Sequence, residues 1–164
     1  MKIREYKISD SKVCVEIFKS NIPKFFLPEE LSGFEEYLTK YTDKNYWVLE
    51  HADKVLACGG IGVRGGEGRL HYGMVANEWH KKGLGSKLIK FRLAKLIENP
   101  EVSAISLDTS QHNPNFFSRF GFIETSAKEN AYGQGLHRHD MRWELPLDHE
   151  ARETIRHKLL SSHG

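Results

Sequence analysis

The sequence predicts an α/β (α+β) fold, a three-layer α/β/α arrangement around a central mixed, mostly antiparallel sheet. Three observations lead there. Apolar runs over residues 45–75, separated by short turns, predict an antiparallel meander. A long helical pattern between the runs at 69–75 and 104–108 supplies the connection that a parallel crossover needs. Helical patterns before and after these strands provide cover for the sheet.

The elements follow in order. "KIREYK" alternates weakly and predicts a first strand, and Ser9 or Asp10 is placed to cap the helix after it. Val13, Ile17 and Phe18 form one face of that helix, which Pro23 should end. "PEELSGFEEYLTKY" predicts a second helix with Leu31, Phe34 and Leu38 as its stripe. "NYWVLEH" and "KVLACGGIGV" predict strands joined at Ala52-Asp53, and the glycine-rich "RGGEGR" turns the chain into the strand "RLHYGMV". "GLGSKLIKFRLAKLIEN" carries Leu84, Leu88, Phe91 or Arg92, Lys95 and Leu96 at helical spacing, with a stop at Asn99-Pro100. "AISLDT" predicts a buried strand, and "PNFFSRF" a short helix whose Pro114 suits a first turn. "GFIETSA" and "LHRHDMRWEL" predict two late strands around a polar loop. A C-terminal helix over 148–162 closes the chain, with Asp148 as cap and Ala151, Ile155 and Leu159 as its stripe.

A length of 164 residues fits one domain, 1–164. The net charge of +2 is too small for a field that gathers nucleic acid or an acidic membrane surface, so any anion site must be local. "MKIREYKISD" lacks the apolar core of a signal peptide, and no run is long enough to span a bilayer, so a cytoplasmic protein is expected. Cys14 and Cys58 lie in apolar stretches with neither CxxC nor framework spacing and are expected as buried free thiols. His137 and His139 alternate onto one strand face near His112, but no further ligand pattern accompanies them and no metal is expected.

The stretch "HYGMVANEWHKKGLGSKL" raises the functional question. A helix start leaves backbone N–H groups unpaired and carries the positive end of the dipole. Together these make an anion site. Gly83 and Gly85 admit close approach to the backbone, while His80, Lys81, Lys82 and Ser86 add donors. A diphosphate would use the whole set. The phosphate-loop pattern GxxxxGK[ST] is absent, as is a GxGxxG opening a helix.

"VANEWHKKGLGSKL" resembles the acyl-CoA-binding motif of the GNAT superfamily of N-acetyltransferases, Arg/Gln-x-x-Gly-x-Gly/Ala between a strand and a helix. Here it is His80-Lys81-Lys82-Gly83-Leu84-Gly85, with His80 in place of Arg or Gln and Asn77 where Pro is frequent. "NPNFFSRFGF" resembles the family's Asn-rich loop followed by Phe-Tyr-x-Lys/Arg-x-Gly-Phe, matched by Phe116, Phe117, Arg119, Gly121 and Phe122.

The resemblance implies a sheet splayed between "RLHYGMV" and "AISLDT", with the pantetheine arm of acetyl-CoA in the gap. Its amides would pair near Met74 and Val75, and its diphosphate would rest on His80, Lys81, Lys82, Gly83, Leu84, Gly85 and Ser86. Asn113 or Asn115 would bond the pantetheine or adenosine part, and Phe117 would line the arm. A backbone N–H near Met74 would polarise the thioester carbonyl, with Gly73 leaving room beside it, marking a bulge in the strand, or both.

Acyl transfer to an amine needs the amine uncharged, which calls for a base. His71 is the candidate, two residues before Gly73 and therefore expected on the same strand face. Arg69 stands where histone-type relatives have a catalytic Glu, and Phe117 where many relatives have an acidic Tyr. Tyr132, in the late polar loop, is the candidate replacement for that acid, and Asp108 would line the same cleft.

The function implied is transfer of acetyl from acetyl-CoA to a primary amine by direct attack in a ternary complex. The acceptor would be a small molecule rather than a protein, and the enzyme a monomer or homodimer. A non-catalytic acyl-CoA sensor on the same fold is the alternative, favoured by the missing Glu and Tyr.

Overall fold

Seven strands and five helices appear in the computed structural model, which describes residues 1–161. The strands are β1 (Lys2–Glu5), β2 (Tyr46–His51), β3 (Lys54–Arg64), β4 (Glu67–Val75), β5 (Ala104–Thr109), β6 (Ile123–Gly133) and β7 (Leu136–Glu144). The helices are α1 (Ser11–Ser20), α2 (Leu31–Lys40), α3 (Leu84–Glu98), α4 (Pro114–Ser118) and α5 (His149–Ser161). The sheet order is β1-β2-β3-β4-β5-β7-β6. Every neighbouring pair is antiparallel except β4 and β5, which α3 joins as a parallel crossover. This is the mixed, mostly antiparallel sheet that the sequence predicts, and it is open rather than closed.

Helices cover the sheet on both faces because the central strands are apolar on both. In β2, Tyr46 and Val48 join Cys14, Ile17, Phe18, Phe34 and Leu38 beneath α1 and α2, while Leu49 joins Leu84 and Leu88 of α3. Phe18 stacks between Phe26 and Phe34 at centroid distances of 4.4 and 5.1 Å. Burying a side chain of this size contributes about 1.5–3 kcal/mol. Cys14 and Cys58 are free, and both lie in this cluster despite their sequence separation. On the other face, Ile89, Leu93, Leu96 and Ile97 of α3 pack with Ile105, Leu107 and Met141, and Ile155 and Leu159 of α5 close over them.

The local signals held at the turns. Ala52 and Asp53 take φ of +50 and +62°, the left-handed pair that a two-residue hairpin demands. Asp148 Oδ2 accepts the Ala151 N–H at 3.1 Å, so it caps α5 as expected. The last predicted helical position, 162, lies outside the described residues.

Other expectations need correction. Asp10 does not cap α1. Its carboxylate is held by the Lys7 N–H at 2.8 Å and by Arg4 at 2.9 Å, so its capacity is spent upstream of the helix. Helix α1 ends at Ser20, before Pro23, where the Asn21 N–H turns back to the Phe18 carbonyl at 3.0 Å. Residues Pro28–Glu30 form a separate tight turn ahead of α2. Lys95 is exposed, with its ammonium over the Phe91 ring at 5.6 Å, and the inner stripe of α3 instead includes Arg92. Strand β6 runs through most of the predicted polar loop to Gly133, paired irregularly with β7, so Tyr132 is a strand residue.

Candidate active site

Strands β4 and β5 are paired only where Glu67, Gly68 and Arg69 face Ala104, Ile105 and Ser106. Beyond Arg69 the ladder ends, and β4 continues to Val75 without β5 beside it. The Ala76 N–H donates to the Leu56 carbonyl at 2.8 Å, and Cys58 opposes Met74. The alternation of an antiparallel ladder therefore turns the Met74 peptide toward β3 and leaves the Val75 peptide at the open edge. The Val75 carbonyl accepts from Asn21 Nδ2 at 2.9 Å and lies 2.9 Å from His80 Nε2. His80, expected among the anion donors, is thus turned back onto the strand.

A bulge interrupts β4 upstream of this edge. The register with β3 slips between Cys58 and Gly60, and Tyr72 has a φ of +41°. His71 and Tyr72 consequently both face α2, with ring centroids 5.8 and 4.9 Å from that of Tyr37. Gly73 faces α3, where a Cβ would collide with Arg92 Nη1. The expectation that His71 and Gly73 share a face is corrected by this bulge, because an inserted residue breaks the period of two. Gly73 makes room for Arg92. Met74 returns to the α1–α2 side, in the same cluster as Phe18 and Phe34.

His71 lines a recess of about 320 Å³ with Tyr37, Tyr41, Asn45, Ile61 and Gly62. Burial pushes its pKa below the ordinary histidine value of 6.5, and the Arg69 and Arg92 guanidinium groups push the same way against a smaller opposite pull from Asp108. A neutral imidazole is the form that accepts a proton.

Next to the splay lies a polar grid. Arg69 donates to Ser106 Oγ at 2.9 Å and to Asp108 Oδ1 at 3.0 Å. Arg138 reaches Asp108 at 3.8 Å, and the Tyr132 hydroxyl donates to Asp108 Oδ2. Burial, reinforced by the bonded carboxylate, pushes the Tyr132 pKa far up, so the phenol keeps its proton. Glu30, from the turn before α2, has its pKa raised by burial and, to a smaller extent, by Asp108, while the Leu27 N–H at 2.8 Å opposes the rise. Glu67 contacts Ser106 and Arg142, whose bonds hold its carboxyl below the usual range.

At the start of α3, Lys81 and Gly83 take φ of +62 and +84°. The first helical bond runs from the Lys87 N–H to the Gly83 carbonyl at 3.1 Å, so the N–H groups of Leu84, Gly85 and Ser86 precede it. A Cβ on Gly83 would meet nothing within 4 Å, whereas one on Gly85 would touch Phe116 at 3.6 Å and Val75 at 3.8 Å. The open side of the turn is therefore at Gly83. Lys82 lies over the Trp79 ring at 5.0 Å. Phe25, from the segment after α1, sits edge-on to His80 at 5.2 Å and to His112 at 5.5 Å, and so touches the segments that follow β4 and β5. Asn113 caps α4, its carbonyl accepting the Phe117 N–H at 3.3 Å, and Phe117 packs on Phe116 and Phe122.

His137 and His139 turn to β6, where His137 Nδ1 accepts the Asn130 N–H and His139 meets Glu124. Among the described residues no group of three or more His, Cys, Asp or Glu is placed to hold a metal ion. Nor is any helix among them long and apolar enough to cross a membrane. Four residues of the site escaped sequence reasoning: Asn21, Glu30, Tyr37 and, as a polar group, Arg92. For Arg92 the signal was present, a charged residue at an inward position of an apolar stripe.

A splayed parallel pair with a glycine turn at the crossover helix is the arrangement that the resemblance to acyltransferases implies, and comparison with known proteins agrees. Among solved structures, the chain resembles ribosomal-protein-S18-alanine N-acetyltransferase from Escherichia coli, with a TM-score of 0.74 and 17% identity over 90% of this chain and 95% of that one. It also resembles Ard1 from Thermoplasma volcanium, with a TM-score of 0.72 and 17% identity over 87% and 96%. A third is an aminoglycoside 6'-N-acetyltransferase complexed with coenzyme A, at 0.69 and 14% over 88% and 97%. At these identities the likeness is one of fold. A search of curated proteins found no match. The family model described as an acetyltransferase (GNAT) domain matches residues 11–145. The chain belongs to the GNAT acetyltransferase family.

Proposed function

We propose that the protein transfers an acyl group, acetyl in the first instance, from acyl-CoA to the primary amine of a small acceptor by direct attack in a ternary complex. The observation that carries this reading is the open edge of β4, where the Val75 peptide stands unpaired by β5 at the end of the strand that leads into the α3 turn. The residues fit acyl-CoA as a substrate. The Leu84, Gly85 and Ser86 N–H groups and the open left-handed Gly83 suit a diphosphate, with Lys81 and Lys82 adjacent. The Val75 N–H takes the polarising role expected near Met74, because it is the peptide facing the gap.

His71 is the proton acceptor in this reading. It is neutral near pH 7 and borders a recess able to take the acceptor. The amine nitrogen bonds to the acyl carbon, the carbon–sulfur bond breaks, and the amine proton passes to the imidazole, directly or through water. A thiol with a pKa near ~8.5 leaves without strong acid assistance. Tyr132, already donating to Asp108, is assigned to orienting that carboxylate on the acceptor side.

The test is thiol release from acetyl-CoA over a panel of small amines, with peptides as the competing class. Release with a small amine, abolished or reduced at least about 100-fold in His71→Ala, supports the assignment. Undiminished activity in that variant overturns the base. The second reading, an acyl-CoA sensor, rests on Arg69 and Phe117 standing where relatives carry Glu and Tyr. Thermal stabilisation by acetyl-CoA without thiol release from any amine would favour it.

A further inference from the structure

An apolar helix stripe gains nothing in packing from an arginine, yet Arg92 lies on the inner face of α3 with 5% exposure. Its guanidinium reaches through to the bulge of β4. Nε and Nη2 donate to the Gly60 carbonyl at 3.1 and 2.8 Å, and Nη2 also donates to the His71 carbonyl at 3.0 Å. Burial pushes its pKa down to about 10, so it remains a cation at neutral pH. Among the described residues no carboxylate pairs with it. Two glycines make its seat. A Cβ on Gly59 would lie 2.9 Å from Arg92 Cζ, and one on Gly73 would overlap Nη1.

A buried cation held only by carbonyls is costly relative to a leucine of similar volume. The two carbonyls that it joins belong to Gly60 and His71, the last register pair before the slip. The bulge that follows is what turns both His71 and Tyr72 toward α2. We propose that Arg92 is a positioning residue of the acyl-transfer centre, clamping the Gly60 and His71 carbonyls so that the bulge holds and the His71 imidazole faces the acceptor recess. The proposal rests on the reading of His71 as the base.

The groups around His71 are Arg69 on its own strand, Arg92 from α3, Tyr37 and Tyr41 from α2, and Asp108 from β5. Arg69 is tied to Asp108 at 3.0 Å, which leaves Arg92 as the cation without a carboxylate. Its removal should therefore let the imidazole titrate at higher pH.

Arg92→Met and Arg92→Lys test this, with three readouts: the His71 imidazole midpoint by NMR, assigned with His71→Gln, the pH profile of kcat/KM, and kcat against KM. In Arg92→Met the midpoint and the acidic limb should both move up, and kcat should fall about tenfold or more while KM for acyl-CoA changes less than about threefold. Arg92→Lys, which keeps the charge but not the forked geometry, should hold the midpoint low and still lose kcat. A folded Arg92→Met with an unchanged midpoint and kcat overturns the proposal, as does full kcat in Arg92→Lys. If Arg92→Met does not fold, the lysine variant alone decides. If the wild type acylates no amine, the base assignment falls, and an unchanged midpoint in a folded Arg92→Met would separately remove the clamp.

Discussion

The side-chain amide of Asn21 donates at 2.9 Å to the carbonyl of Val75, tying the end of α1 to the last residue of β4. Asn21 is 3% exposed and also bonds the Ile17 carbonyl at 2.9 Å. The tie fixes the strand end at the point where β5 has already diverged.

Asn21→Ala should lower unfolding free energy by about 1–3 kcal/mol, because it removes two hydrogen bonds made by a buried side chain, each contributing about 0.5–1.5 kcal/mol. It should also raise KM for acyl-CoA, since the open edge loses one of its two anchors. Denaturant unfolding measures the first effect, and an unchanged midpoint would remove the tie from the account.

The pH dependence follows from His71. Its folded pKa lies below 6.5, so the folded state holds the neutral form where the unfolded chain is already protonated. Its contribution to stability is therefore complete above 6.5 and is lost as the pH falls through the folded value. Activity should be flat through neutrality, with an acidic limb below 6.5. His71→Gln should abolish that limb, and a limb that persists in the variant would assign it to another group.

Tyr132→Phe removes a hydrogen bond to a carboxylate, a change worth about 1.5–3 kcal/mol. Asp108 keeps Arg69 at 3.0 Å, so the fold should survive. Under the orienting role, KM for the acceptor should rise more than KM for acyl-CoA. A loss confined to kcat, with a new dependence on the leaving-group thiol, would return Tyr132 to the role of acid.

Gly83→Ala places a Cβ at φ +84°, where L-residues pay about 1–2 kcal/mol in local strain. Open space around that Cβ means the loss comes from the backbone alone. Gly85→Ala makes only ordinary contacts and lies within the helix, so it should be neutral or slightly stabilising. Thermal melts with and without acetyl-CoA compare the two. Equal losses would mean that the turn geometry is not what holds the anion.

Much of this architecture was legible from period and punctuation. The long apolar pattern of α3, the left-handed pair Ala52-Asp53 and the crossover between β4 and β5 all follow from local chemistry. The bulge was legible only as an alternative at Gly73, because its marker is a tyrosine rather than a glycine at positive φ, and His71 was placed by an unbroken period of two. That single slip moved Gly73 away from His71. Asn21 and Glu30 were invisible for another reason: their partners, Val75 and the neighbourhood of Asp108, are distant in sequence and meet only in the fold. Tyr132 was misplaced because "ENAYGQG" has turn composition, yet β7 is long enough to carry it as a strand.

Gly59 and Gly73 have a consequence for the order in which this chain can change. With Arg92 present, alanine at either position meets the guanidinium. With a shorter residue at 92, the same alanines fill vacated space. The cost of a glycine substitution therefore depends on what stands at 92, and the three positions constitute an epistatic unit in which an alanine at 59 or 73 displaces the guanidinium from its carbonyls.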